Sequence, residues 1–281
     1  MTEVMTDQTS AYRAGLFVDD DAIYLLTDPV AYVIVPGSAP RTVPVANGET
    51  AAITRSEFVY WSTGALWGVP KAGGRARRIG PLNLRPQFLM AAGDAVAWLT
   101  MVKRDRFVLQ TLHGSVARTI LSYDGRIETA AMTDRDVYFV QRDDAERWRI
   151  GKVPLQGGAP VYAASHEGPT PAKLAIANEV YYYDVKTGSV RKLPRDLSRE
   201  DTVVSDLVCS PIAVGVRIYC PNIEGMFELA RHDGAKIMPL FPSKERLTAV
   251  AASSKFLVWL SDPGPDRLSL KMIRLELDDA G

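Results

Sequence analysis

The chain has 281 residues, 47% of them hydrophobic and 23% charged, a globular composition that excludes a disordered or collagen-like polymer. Its 33 basic residues match 33 acidic ones, so no net field draws it to nucleic acid or to an anionic membrane. No run of 18 or more apolar residues is present, which excludes a membrane-spanning helix.

The opening MTEVMTDQTSAYR has neither the basic nor the apolar region of an export signal, so as written the chain is expected in the cytoplasm. If a signal has been removed, a periplasmic or extracellular location is expected instead. Within this opening, Thr2 to Thr6 belong to no repeat and are enough for one strand. The first inner strand is expected near Tyr12.

From there the chain is periodic. An aromatic or apolar pair recurs at Tyr24-Leu25, Tyr60-Trp61, Ala97-Trp98, Tyr138-Phe139, Tyr181-Tyr182, Tyr219-Cys220 and Val258-Trp259, in steps of 36, 37, 41, 43, 38 and 39 residues. A supersecondary unit of about 40 residues fits that spacing. Residues 57–74 and 134–158 show it most clearly, sharing the pair and a V-P-x-x-G-G turn (Val69 to Gly74, Val153 to Gly158), with a loop six residues longer in the later copy. Each unit reads as four short strands, the first rich in alanine (TAAITR, MAAGDA, TAAMTD, KLAIAN, AVAASS), as a crowded axis requires. The predicted fold is all-β, a seven-bladed β-propeller of four-stranded antiparallel blades in a single domain, 1–281. Six blades is the alternative, and a sandwich or barrel also fits alternating strands but gives no reason for a fixed period.

The seventh unit supplies LTAVAAS, KFLVWLS and RLSLKMIRLEL and no fourth strand. An unclosed blade leaves a raw edge, so the N-terminal segment is expected to pair outside the last run and close it.

The runs IYLLTD, VYWST, VYYYD and VWLSD, with their VP..GG turns, resemble the repeats of bacterial β-propeller proteins of the YWTD and TolB-like kind. That resemblance implies protein or small-ligand binding on a propeller face and brings no catalytic residue with it. Virginiamycin B lyase, another seven-bladed architecture, uses histidine, glutamate and a metal, but no motif here maps those residues.

In a propeller, the loops joining blades and those joining second to third strands open on one side, here called the top. Lys103, Arg104, Asp105, Arg142, Asp143, Asp144, Arg147, His166 and Glu167 are the candidate binding surface there, because loops vary while strands hold. His113 and His232 fall in turns on the opposite side, so the three histidines do not converge as a metal-activated water needs. His166-Glu167 fits an acid/base pair or, more simply, a solvated SHEGPTP loop. Asp143-Asp144 lack a calcium-loop pattern. AGGRARRIG has no strand-to-helix context for phosphate and reads as the solvent side of an outer strand.

Cys209 and Cys220 lie opposite each other if Val214-Gly215 is a hairpin turn; a cross-strand disulfide and two buried thiols both remain open. The expected function is a noncatalytic scaffold binding a protein partner or ligand through its top loops, without cofactor or nucleic acid and monomeric on its own. The alternative is a propeller lyase or hydrolase with a divalent metal near the axial channel.

Overall fold

The structure is a computed structural model that describes residues 2–7, 15–27, 30–45, 50–81, 84–143, 145–205, 209, 211–214, 217–222, 225–229, 237–242, 246–264 and 267–275. Tyr12, Asp144 and His232 lie outside the described residues. The described chain is all strand and turn.

In chain order the first strand is β1 (Thr2–Asp7). Blade one is β2 (Gly15–Val18), β3 (Ile23–Thr27), β4 (Val30–Ile34) and β5 (Arg41–Pro44). Blade two is β6 (Thr50–Ile53), β7 (Glu57–Ser62), β8 (Ala65–Pro70) and β9 (Arg77–Pro81). Blade three is β10 (Phe88–Ala92), β11 (Ala95–Lys103), β12 (Arg106–His113) and β13 (Val116–Asp124). Blade four is β14 (Arg126–Met132), β15 (Asp136–Arg142), β16 (Arg147–Pro154) and two short pieces, β17 (Val161–Tyr162) and β18 (His166–Glu167), which both pair with β16. Blade five is β19 (Leu174–Ile176), β20 (Glu179–Asp184), β21 (Ser189–Pro194) and β22 (Asp201–Ser205). Blade six is β23 (Ile212–Val214), β24 (Arg217–Asn222), β25 (Gly225–Leu229) and β26 (Ile237–Pro242). Blade seven is β27 (Arg246–Ala252), β28 (Phe256–Gly264) and β29 (Arg267–Arg274), with β1 as its outer strand.

Each of these seven antiparallel sheets is a propeller blade in which consecutive strands pair with their sequence neighbours. Every repeat marker falls on a second strand: Tyr24 on β3, Tyr60 on β7, Trp98 on β11, Tyr138 on β15, Tyr181 on β20, Tyr219 on β24 and Val258 on β28. Blade seven closes as the sequence demands. Thr2 lies opposite Met272 and Asp7 opposite Leu268, in antiparallel register with one irregularity between Glu3 and Met5.

By contacts the chain forms two compact units, Gly48–Pro211 and Met1–Asn47 with Ile212–Gly281. The first holds blades two to five. Strand alternation sends the two members of the marker pairs on β11, β15 and β28 to opposite neighbours. Trp98 packs with Val59, Leu66 and Ile79 of blade two, whereas Ala97 joins Ile127, Val137 and Phe139 of blade four. Tyr138 in turn packs with Val180, Tyr182 and Leu193 of blade five, while Phe139 faces back to blade three. The pair thus fills two inter-blade cores at once. Gly151 on β16 is needed for the second layer of this packing, because a Cβ there would fall within 2.5 Å of the Phe139 ring and 2.8 Å of Tyr162.

The other unit repeats the scheme. Val258 lies in a core with Ile23, Leu25 and Ile34 of blade one, and Trp259 lies in one with Tyr219 of blade six. Trp61 differs from its counterparts, being only partly buried where Trp98 and Trp259 are almost wholly enclosed.

The cysteine hairpin needs a correction. Ile212 faces Tyr219, Ala213 faces Ile218 and Val214 faces Arg217, a register two residues away from the one that would set the cysteines opposite each other. Cys209 therefore lies outside the ladder. Both cysteines are nonetheless buried and disulfide-bonded.

Candidate functional site

The described candidate residues lie in blades three and four: Lys103, Arg104 and Asp105 at the β11–β12 turn, Arg142, Asp143 and Arg147 at the β15–β16 turn, and His166 and Glu167 on β18. The blade-three turn, Arg104-Asp105, needs a left-handed residue, and Asp105 takes that role with φ of 59°. Aspartate tolerates it better than most side chains. Its backbone carbonyl accepts from Gly125 N, and its carboxylate meets Arg126 Nε at 3.2 Å and Arg104 Nε at 3.7 Å. Lys103 is exposed at the end of β11.

In the blade-four loop the left-handed residue is Glu146, with φ of 60°, and an aspartate holds the loop from within. Asp143 Oδ1 accepts from the backbone N–H groups of Ala145 and Arg147, and Oδ2 accepts from Arg147 Nε at 3.2 Å. The Arg147 amide and the adjacent guanidinium hold the Asp143 carboxyl below the usual carboxylate range. Arg142 pairs with Glu146 and approaches Glu128 at 3.9 Å, while its carbonyl accepts from Tyr123 OH of blade three. The two loops are therefore neighbours.

His166 and Glu167 part company. They occupy successive positions on β18, opposite Trp148 and Arg147 respectively, so alternation directs them to different sides. Glu167 is exposed, but His166 is mostly enclosed and stacks on Trp148 at 4.4 Å between ring centroids. This corrects both the solvated-loop and the His166-Glu167 pair expectations. The carboxylate facing His166 is Glu200, with Nε2 at 3.7 Å from Oε2.

Around that contact a charged chain crosses from blade four to blade five. Glu200 Oε2 accepts from an Arg191 Nη at 2.7 Å, and Arg191 Nε lies 3.4 Å from Asp184 Oδ2. Asp184, 5% exposed, also accepts from Lys186 N and Thr187 Oγ1. Tyr182 closes the cluster edge-on to Trp148 at 5.7 Å and to His166 at 6.5 Å. Among the described residues, buried Trp148 Nε1, Tyr182 OH and Glu200 Oε1 have no hydrogen-bond partner.

Burial pushes the Glu200 carboxyl up to about 7, an effect that Arg191, shared with Asp184, does not overcome. Burial first, and then Arg191, lower the His166 pKa below that of an ordinary imidazole. Burial thus disfavours the charged form of both groups. A raised carboxyl pKa means that the folded state binds more protons than the unfolded chain, so this stabilising term is full below 4.5 and is lost as pH rises through about 7. Glu200→Gln is expected to flatten this slope, worth on the order of 1–3 kcal/mol. His166 has the opposite sign, its contribution falling away as pH drops below its unfolded pKa. Denaturant unfolding across pH, with Glu200→Gln and His166→Gln measured separately, checks both signs.

Sequence reasoning missed Trp148, Tyr182, Asp184, Arg191 and Glu200 as members of one site. Among the described residues no group of three or more His, Cys, Asp or Glu side chains is placed to hold a metal ion.

No protein-family model matches the sequence, and no curated protein matches it. The fold is similar to an oligogalacturonate lyase in complex with manganese, with TM-score 0.72 and 11% identity over 91% of this chain and 86% of that one. It is also similar to puromycin hydrolase, at TM-score 0.70 and 9% identity over 98% of this chain and 54% of that one. The nidogen/laminin complex gives TM-score 0.50 and 18% identity over 67% of this chain and 78% of that one. At these identities the likenesses show the β-propeller fold alone.

Proposed function

We propose that the protein is a noncatalytic β-propeller that binds a protein partner or ligand through the top loops of blades three to five. The observation that carries this reading is the adjacency of two charged loops, Lys103 to Arg106 and Arg142 to Arg147, linked by Tyr123 and Arg126 and open to solvent. The strands below them are consumed by inter-blade packing, which leaves the loops as the part free to recognise something. The resemblance of the aromatic runs to YWTD and TolB-like repeats supports a binding role, as does the likeness to a protein that forms a complex with laminin. The disulfide-bonded cysteines support an oxidising compartment, periplasmic or extracellular.

The test is paired charge reversal. Arg104→Glu with Arg147→Glu is expected to weaken binding to a partner isolated from native extract by about tenfold or more, whereas Arg78→Glu on the outer strand β9 leaves it unchanged. Intact binding in the first variant and loss in the second would overturn the assignment.

A second reading rests on His166 and Glu200. A carboxyl held near neutrality beside a neutral imidazole is suited to general acid/base work, and two of the similar structures are enzymes. Turnover of a glycoside or peptide substrate that is abolished in Glu200→Gln would favour it over the binding role.

A further inference from the structure

Strand β11 changes character abruptly along its length. Residues 96–100 are buried on both faces, and then Met101, Val102 and Lys103 are all exposed. Met101 lies opposite Phe107 and Lys103 opposite Arg106, so the ladder is bulged at Val102, and three exposed residues follow one another there. In the same unit, the second strands of blades two, four and five stay at least half-buried to their last residue. The tip of the β11–β12 hairpin, Met101 to Arg106, is therefore an arm outside the inter-blade packing, which on this hairpin reaches only as far as buried Phe107.

Its composition is not that of a solvated tip. Met101 is 56% exposed and Val102 41%, two neighbouring apolar side chains open to solvent. Four cations stand around them, Lys103, Arg104, Arg106 and Arg126, against two carboxylates, Asp105 and Asp124, both already ion-paired to these arginines. Lys103 has no ion pair among the described residues, so the arm keeps a local positive surplus on a chain that is neutral overall.

We propose that this arm is the docking element for an acidic protein segment carrying apolar side chains. The proposal rests on the top-face binding function and names the partner chemistry for it. Carboxylates of the segment would meet Lys103 and the arginine rim, and its aliphatic or aromatic groups would cover Met101 and Val102. A polyanion such as nucleic acid fits less well, because the arm offers aliphatic and thioether contacts where base stacking needs aromatic ones.

Panning a random peptide library on the intact protein tests this. Enriched peptides are expected to combine Asp or Glu with Leu, Ile, Val or Phe. Their affinity should fall by about tenfold or more in Lys103→Glu and in Met101→Ser/Val102→Ser, and should stay within about twofold in Arg78→Glu on the outer strand β9. These arm positions are exposed, and an unchanged melting temperature confirms that each variant folds. Enriched peptides without acidic residues, or affinity indifferent to the arm variants, would overturn the proposal. If affinity instead follows Arg142 and Arg147, the arm assignment fails while the top-face reading stands. If it follows only Arg78 on the outer strand, both fail. Binding of single-stranded DNA or phosphatidylserine vesicles that depends on Lys103, without any acidic peptide binding, also overturns the proposal by assigning the arm to another class of partner.

Discussion

Replacing Trp98 by alanine is expected to lower the unfolding free energy by about 3–5 kcal/mol, measured by denaturant titration. The indole is wholly enclosed and belongs to the core that joins blade two to blade three, against Val59, Leu66, Ile79, Leu89 and Val96. Its Nε1 donates to Gln110 Oε1 at 3.1 Å, so truncation also leaves that amide without its partner. Trp61→Ala should cost less, because its ring is only partly buried although it holds the same repeat position. Equal losses at the two sites would mean that burial is not what distinguishes them.

Deleting residues 1–9 is expected to lower the melting temperature by several degrees and to make the protein associate with rising concentration. Strand β1 covers the outer edge of β29 over Leu268 to Met272, and removing it exposes a row of backbone donors and acceptors on a strand eight residues long. β1 precedes blade one in sequence yet completes blade seven, so its removal leaves β29 as the outer strand of that sheet. A deletion variant that stays monomeric and melts with the full chain would show that the edge is protected in some other way.

The strands and their pairing were legible because each depends on local pattern. Alternation set the aromatic pair, the V-P-x-x-G-G segments marked turns, and the period of about 40 residues placed one pair on the second strand of each blade. Closure was legible as well, from a missing strand at one end and a spare one at the other. The charged cluster was not legible. His166 meets Glu200 across two different blades, and Glu200 lies in the run RDLSRED, whose composition resembles any solvated loop. No local signal marks which carboxylate of such a run turns inward. The cysteine register failed for a related reason: a shift of two residues in a hairpin preserves every side chain's face and so leaves the apolar pattern unchanged.

Binding through the top loops is the central claim, and hydrogen–deuterium exchange of the intact protein with and without a selected acidic peptide tests it most directly. Slowed exchange confined to residues 101–106 and 142–147 is the predicted result. Protection confined to the opposite turns, around Gly114 and Gly157, with the loops of blades three and four exchanging as in the free protein, would contradict it.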